Sequence, residues 1–82
     1  MSSTANSPDR YLDLKGLKCP LPVLKARRAI KDMSTGQVLE VRADDPAAQL
    51  DFPHFCETQG HALITADRDA TTGELTFRIK VG

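Results

Sequence analysis

A cysteine stands directly before a proline in the segment GLKCPLPVL, residues 16–24, and a second proline follows two residues later. Cys19 therefore precedes Pro20 and Pro22, which restrict the backbone on one side of the thiol. Thiol reactivity depends on how far the local charges favour the thiolate. Two interpretations are open: a reactive Cys19, or a small packed residue at a helix start that the prolines mark.

Helical periodicity follows the cysteine. Apolar residues recur at intervals of three and four at Val23, Ala26, Ile30 and Met33. This spacing predicts a helix from Pro20 to Met33, with Cys19 as its N-cap. Unbonded backbone N–H groups and the helix dipole then favour a thiolate, which predicts a lowered pKa for Cys19. Cysteine is a poor N-cap compared with Ser, Asp or Asn, which favours the reactive interpretation.

Basic residues are concentrated around this segment. Residues 15–31 contain no acidic residue and six basic ones, Lys15, Lys18, Lys25, Arg27, Arg28 and Lys31. Because the formal net charge of the 82-residue chain is zero, this is a local electropositive surface. The helix wheel places Leu21 and Leu24 among these basic residues, away from the apolar stripe. We expect the surface to dock an acidic partner or to favour an anionic transferred group.

The second cysteine has a different setting. Cys56 shares a predicted helix face with Phe52 and Phe55, which is typical of a core thiol. The spacing of Cys56 from Cys19 is neither CxxC nor a zinc pattern, and the two histidines have no ligand spacing. We therefore predict two free thiols, and no metal or other cofactor.

Composition and charge limit the location and the partners. The start MSSTANSPDR lacks the apolar core of a secretory signal, and no apolar run approaches the roughly 18 residues that cross a bilayer. We expect a cytoplasmic protein without a membrane partner. Zero net charge gives no reason to expect direct nucleic-acid binding.

The elements that position Cys19 follow from periodicity and turn residues. Residues 1–9 are small and polar and predict a disordered tail, which leaves residues 10–82 as a single domain. Strands are predicted at residues 11–14, 38–43, 61–67 and 74–81. Gly16 ends the first strand, and Gly36 lies where a left-handed cap of the first helix is expected.

A second helix is predicted between the second and third strands. Asp44 and Asp45 are expected to cap its start. Pro53 interrupts any continuous version, so the helix is expected to begin loosely near Ala47 and restart near Asp51. Gly60 is expected to close it.

The order of elements defines the fold class. The last strand alternates apolar and polar residues, which indicates a sheet covered on one side only. We predict an α/β (α+β) two-layer sandwich of order β-α-β-α-β-β, with a mixed four-stranded sheet and two helices on one face. Both β-α-β crossovers are expected to be right-handed.

With these residues, the chain resembles the TusA-like (SirA-like) sulfur carrier family, whose hallmark is a CPxP motif at the start of the first helix. Here the motif is Cys19-Pro20-Leu21-Pro22. The resemblance extends through LDLKGLKCPLPVLKARRAI, GQVLEVRADDPAAQLDFPHFC and GHALI, nearly everything from Leu12 to the end. One departure is Ala62, where a Glu is common in the family; it concerns a surface contact.

The resemblance implies that Cys19 carries sulfur as a persulfide, received from a cysteine desulfurase or a rhodanese-like donor and passed to a downstream acceptor protein. In the better-known branch the sulfur moves toward 2-thiouridine in tRNA, and the segments ADDPA and DFPHFC are similar to that branch. Other branches serve sulfur oxidation or other sulfur trafficking. We expect partner contacts at Lys18, Leu21, Leu24, Arg27, Arg28 and Asp45, and a loop shaped by Gly16, Pro20 and Pro22.

Two other functions remain open from the residues alone. The basic face of the first helix is also compatible with a module that binds RNA or a regulatory protein, although three Phe and one Tyr leave few rings for base stacking. A thiol peroxidase or reductase is the third hypothesis.

Overall fold

Four strands and two helices follow one another along residues 7–82, the part of the chain that the computed structural model describes. The elements are β1 (Arg10–Asp13), α1 (Leu21–Lys31), β2 (Val38–Ala43), α2 (Ala48–Gln59), β3 (Ala62–Arg68) and β4 (Leu75–Lys80). Residues 1–6 of the predicted tail lie outside the described residues. Asp9, also in that predicted tail, exchanges two hydrogen bonds with Val38 at 2.8 and 2.7 Å, which tie it to the sheet.

The sheet has the order β1-β2-β4-β3. β1 pairs with β2 in parallel, and β4 pairs with both β2 and β3 in antiparallel orientation. The parallel pair sends the carboxyl ends of β1 and β2 to the same edge of the sheet. The loop that contains Cys19 and the loop that contains Asp44 and Asp45 therefore start side by side.

The core lies between this sheet and the two helices. Alternate residues of β2 and β4 are buried against the helices, namely Leu39, Val41, Ala43, Leu75, Phe77 and Ile79. Phe52 of α2 stacks on Phe77, with 4.8 Å between ring centroids. The opposite sheet face is polar, and Arg78 donates to Glu40 at 2.9 Å across the strand pair. The predicted two-layer sandwich, with both helices on one face, is confirmed.

Helix α1 starts one residue later than the periodicity predicts. Pro20 is its N-cap, so Cys19 precedes the cap, and the prediction of Cys19 as N-cap is wrong. The apolar stripe is confirmed, since Ala26 and Ile30 are buried against the sheet. The helix ends at Lys31, and its C-cap is Asp32, whose φ of −94° is not left-handed. Gly36 does not cap it; its positive φ of 93° belongs to the following turn.

Helix α2 is continuous, and the predicted restart near Asp51 is wrong. Pro53 lies inside the helix and removes one hydrogen bond, the one to the carbonyl of Gln49. Gln49 is exposed, so water can bond that carbonyl. Gly60 closes the helix with φ of 79°, as predicted. Among the described residues, no helix is both long and apolar enough to cross a membrane.

Candidate functional site

Cys19 is exposed at the end of the loop between β1 and α1. The loop leaves the sheet at Leu14, which is buried and donates its N–H to Arg42 at 2.7 Å. Gly16 turns the chain with φ of 88°, a left-handed conformation that glycine adopts without steric cost. Pro22, in the first turn of α1, is buried, whereas Cys19 and Pro20 just before the helix are exposed.

Two aspartates from the neighbouring loop hold this segment at both ends. The N–H of Gly16 donates to Asp44 Oδ1 at 3.0 Å, and the N–H of Cys19 donates to Asp45 Oδ2 at 2.7 Å. The N–H of Ala47 donates to Asp45 Oδ1 at 3.2 Å. These bonds from Cys19 and Ala47, together with the charge of Lys18, lower the pKa of Asp45.

This arrangement corrects the sequence-based assignment of these aspartates as helix caps. The N-cap of α2 is Ala47, and no side chain caps that helix. The carboxylate of Asp44 bonds across to the loop that contains Cys19, and that of Asp45 bonds both to that loop and to the N–H of Ala47. Their position follows from the parallel pairing of β1 with β2, which a cap signal in the sequence does not reveal.

The thiol of Cys19 faces a third carboxylate. A hydrogen bond to Asp51, in the first turn of α2, raises the pKa of Cys19, as do desolvation and the negative charges of Asp51 and Asp45. The sequence-based expectation of a lowered pKa is therefore wrong. Lys18 is adjacent along the chain, but the carboxylates determine the direction of the shift.

Cys19 lies at one end of a groove between α1 and α2, with a volume of about 280 Å³. Its walls include Val23, Leu24 and Arg27 from α1 and Asp51, His54 and Phe55 from α2. The groove is open to solvent along its length. A segment of another protein therefore has direct access to the thiol.

The outer side of α1 forms a second surface, which we call the basic surface. It is a shallow hollow of about 420 Å³ lined by Leu21, Leu24, Lys25, Arg27, Arg28 and Lys31. Leu21 and Leu24 are 45% and 46% exposed, in agreement with the helix wheel. Lys15 does not line it; the Nζ of Lys15 lies 3.5 Å from Glu74, which directly precedes β4.

Cys56 and His61 lie in structural positions. Cys56 is buried within α2, and burial raises its pKa to about 11. His61 accepts the N–H of Gly82 at Nδ1 over 3.0 Å, and its ring lies against Phe55. Neither side chain lines the groove that contains Cys19.

Sequence reasoning missed two residues of the site, Asp51 and His54. Both line the groove beside Cys19, although they lie in another helix. A signal for Asp51 exists in principle: parallel β1 and β2 place the starts of both helices at one edge of the sheet. An acid in the first turn of α2 therefore lies near the start of α1.

The fold and the site define a small α+β domain with an exposed cysteine just before its first helix. A solved structure of a SirA-like protein from Desulfitobacterium hafniense matches with a TM-score of 0.78, covering 89% of this chain and 97% of that chain. The two chains are 23% identical, so this likeness concerns the fold.

The sequence carries the identification further. The model of the family described as "Sulfurtransferase TusA" matches residues 10–81. The chain belongs to the TusA sulfurtransferase family, which confirms the resemblance noted in its sequence. Membership supports a sulfur carrier or sulfurtransferase role.

Proposed function

We propose that this protein carries sulfane sulfur as a persulfide on Cys19 and passes it from one protein to another. The observation that carries the proposal is the exposed thiol of Cys19 in a chain of the TusA sulfurtransferase family. The backbone N–H of Cys19 is held by a hydrogen bond of 2.7 Å to Asp45 Oδ2. The open groove beside the thiol suits a reaction whose two partners are both proteins.

The transfer is two thiol exchanges. In loading, the Cys19 sulfur attacks the outer sulfur of a donor persulfide, R–S–SH, and the S–S bond within the donor breaks. Cys19–SH and R–S–SH become Cys19–S–SH and R–SH, with the thiol proton ending on the departing sulfur. Unloading repeats the exchange with an acceptor thiol. Neither step requires an external oxidant, a metal or a resident cofactor.

The donor we propose is a cysteine desulfurase or a rhodanese-like protein, and the acceptor is a downstream protein thiol. The segments ADDPA and DFPHFC support delivery toward 2-thiouridine in tRNA, and sulfur oxidation is the alternative destination. Delivery through a protein requires no direct contact with nucleic acid. Because the exchange needs thiols kept reduced, the location we propose for this function is the cytoplasm.

Docking is assigned to the basic surface and its two exposed leucines. Arg27 and Arg28 offer charge for an acidic partner, and Leu21 and Leu24 offer apolar area at the same place. Lys18 extends the positive charge to the thiol. Asp45 accepts the backbone N–H of Cys19. Its proposed role in partner binding is therefore to hold the thiol in place for the partner.

Intact-protein mass spectrometry tests the proposal. The chain is incubated with a cysteine desulfurase, pyridoxal phosphate and cysteine, in parallel with Cys19→Ser and Cys56→Ser. We expect a gain of one sulfur atom, removable by a reductant, in the wild type and Cys56→Ser but not in Cys19→Ser. If neither the desulfurase nor a rhodanese with thiosulfate loads the wild type, the proposal is wrong and a binding module is favoured.

A further inference from the structure

The carboxylate of Asp51 differs from its acidic neighbours in what it bonds. Asp44 accepts a backbone N–H from Gly16, and both oxygens of Asp45 accept backbone N–H groups. Asp51 instead lines the same groove as Cys19, and its carboxylate is the main cause of the raised pKa of that thiol. Within residues 7–82, none of the ion pairs involves Asp51. A half-buried carboxylate outside these ion pairs thus shares the groove with Cys19.

Charged groups face Cys19 from every neighbouring element. Lys18 belongs to its own loop, Asp45 to the loop after β2, Arg27 to α1, and Asp51 and His54 to α2. Arg27 and His54 line the same groove as Asp51, but neither forms an ion pair with it among the described residues. Among residues 7–82, no Lys, Arg or His lies within ion-pair distance of the Asp51 carboxylate.

We propose that Asp51 is a specificity-determining residue of the sulfur transfer: a competent partner places a Lys, Arg or His side chain against the Asp51 carboxylate as its own cysteine enters the groove between α1 and α2. The inference rests on the proposed carrier function and adds a chemical requirement on the partner. Together with the basic surface of α1, this requirement means that the partner has acidic residues where it faces α1 and a basic residue where it faces α2. These two contacts fix the docking orientation.

The physical argument concerns the proton of the thiol. In the free protein the Asp51 carboxylate shares the groove with Cys19 and raises the pKa of its thiol, which disfavours the nucleophilic thiolate. A cation that pairs with Asp51 removes the negative field and favours the thiolate. Docking excludes water from the open groove, which strengthens the effect. A thiol-reactive molecule without such a cation meets the protonated form.

A purely structural role for Asp51 makes a different prediction. An acid in the first turn of a helix stabilises that helix through the macrodipole. That role requires neither contact with the thiol nor an effect on its chemistry. Substitution would then change the melting temperature and leave the reactivity of Cys19 and the affinity for partners unchanged.

The test compares Asp51→Asn with a matched control, Glu57→Gln. Glu57 is an exposed acid on the same helix and does not line the groove. Two quantities are measured for each protein: the pH profile of Cys19 alkylation by iodoacetamide, and the KM of a cysteine desulfurase for the protein as sulfur acceptor. Asp51→Glu, which keeps the charge, serves as the conservative variant and keeps the test valid if Asp51→Asn does not fold.

In Asp51→Asn we expect Cys19 alkylation at pH 7 to become several times faster, because the pKa of the thiol falls. We expect the KM for the desulfurase to rise by about five- to tenfold, because the ion pair with the partner is lost. Glu57→Gln should change neither quantity, and Asp51→Glu should keep both within about twofold of the wild type. An unchanged KM, or an unchanged alkylation profile, in a folded Asp51→Asn overturns the inference. If the wild type itself takes up no sulfur, the proposed function fails instead.

Discussion

Both cysteines of the chain have a raised thiol pKa, but the causes differ. Cys19 is exposed, and the pKa of its thiol is raised chiefly by the hydrogen bond to Asp51. Cys56 is 3% exposed, and burial raises its pKa to about 11. A neighbouring charge can be neutralised by a docking protein, whereas burial persists as long as the fold does. Under the proposed function, the comparison favours Cys19 as the thiol whose pKa a docking partner can change.

The largest expected effect comes from opening the core around Cys56. Phe52 is fully buried and stacks on Phe77, so Phe52→Ala should cost about 3–5 kcal/mol of unfolding free energy. Urea denaturation measures the loss. Cys56 should become reactive toward alkylating agents, since local opening becomes more frequent. Leu50→Ala, at a residue 78% exposed, is the control and should change stability by no more than about 0.5 kcal/mol. If Cys56 stayed unreactive toward alkylating agents in Phe52→Ala, the explanation that core packing shields its thiol would be wrong.

High pH should destabilise the fold through the same buried thiol. The unfolded chain releases the Cys56 proton near pH 9, whereas the folded chain retains it until about pH 11. Between these values the unfolded state binds fewer protons, so the unfolding free energy decreases as pH rises, by about 2–3 kcal/mol in full. Below pH 9 this contribution is constant.

Denaturation at a series of pH values, in the wild type and Cys56→Ala, isolates that contribution. Other groups titrate equally in both proteins, so the difference between their slopes above pH 9 belongs to Cys56. If the unfolding free energies of the two proteins changed in parallel with pH, the Cys56 thiol would have the same pKa in the folded and unfolded states, and this explanation would be wrong.

A smaller effect is expected at Asp45, which holds the backbone of Cys19. Asp45→Ala removes the acceptor of the Cys19 N–H, so the loop should loosen and the rate of persulfide loading should fall about tenfold. Asp45→Asn retains an oxygen in the same place and should keep most of the rate. Single-turnover loading by the desulfurase measures both. Equal loss in the two variants would assign the effect to charge and not to position.

The smallest effect concerns the basic surface. Arg28→Glu should slow loading by a few-fold at low ionic strength, because an exposed charge mainly steers association. Raising the salt concentration should remove most of the difference, since exposed charges are screened. Lys80→Glu, at an exposed position on β4, is the matched control and should leave loading unchanged. An effect of Arg28→Glu that persists at high salt would point to packing instead.

The sequence predicts the fold well where periodicity decides it. The bounds of β2, residues 38–43, agree with the structure, and so does the apolar stripe of α1 through Ala26 and Ile30. Proline positions are less decisive. Pro20 is the N-cap of α1, although proline also suits the first helical position that the sequence predicts for it. Pro53 is tolerated within α2, because the only hydrogen bond that it removes is the one to the exposed carbonyl of Gln49.

The site is harder to predict, because its electrostatics depend on residues distant in the sequence. Cys19 and its prolines are adjacent, and the motif is visible at once. Asp51 reaches the thiol only because β1 and β2 are parallel neighbours, a pairing that local patterns do not encode. Lys15 shows the converse: it clusters with α1 in the sequence but pairs with Glu74 in space.

The most direct test of the account locates transferred sulfur in the wild-type chain without any substitution. After loading by a cysteine desulfurase with ³⁵S-labelled cysteine, the persulfide is trapped by alkylation, and the peptides are separated under non-reducing conditions. We predict that the label occurs on the peptide that contains Cys19 and is absent from the one that contains Cys56. Label on Cys56, or equal label on both, would contradict the claim that Cys19 is the carrier thiol.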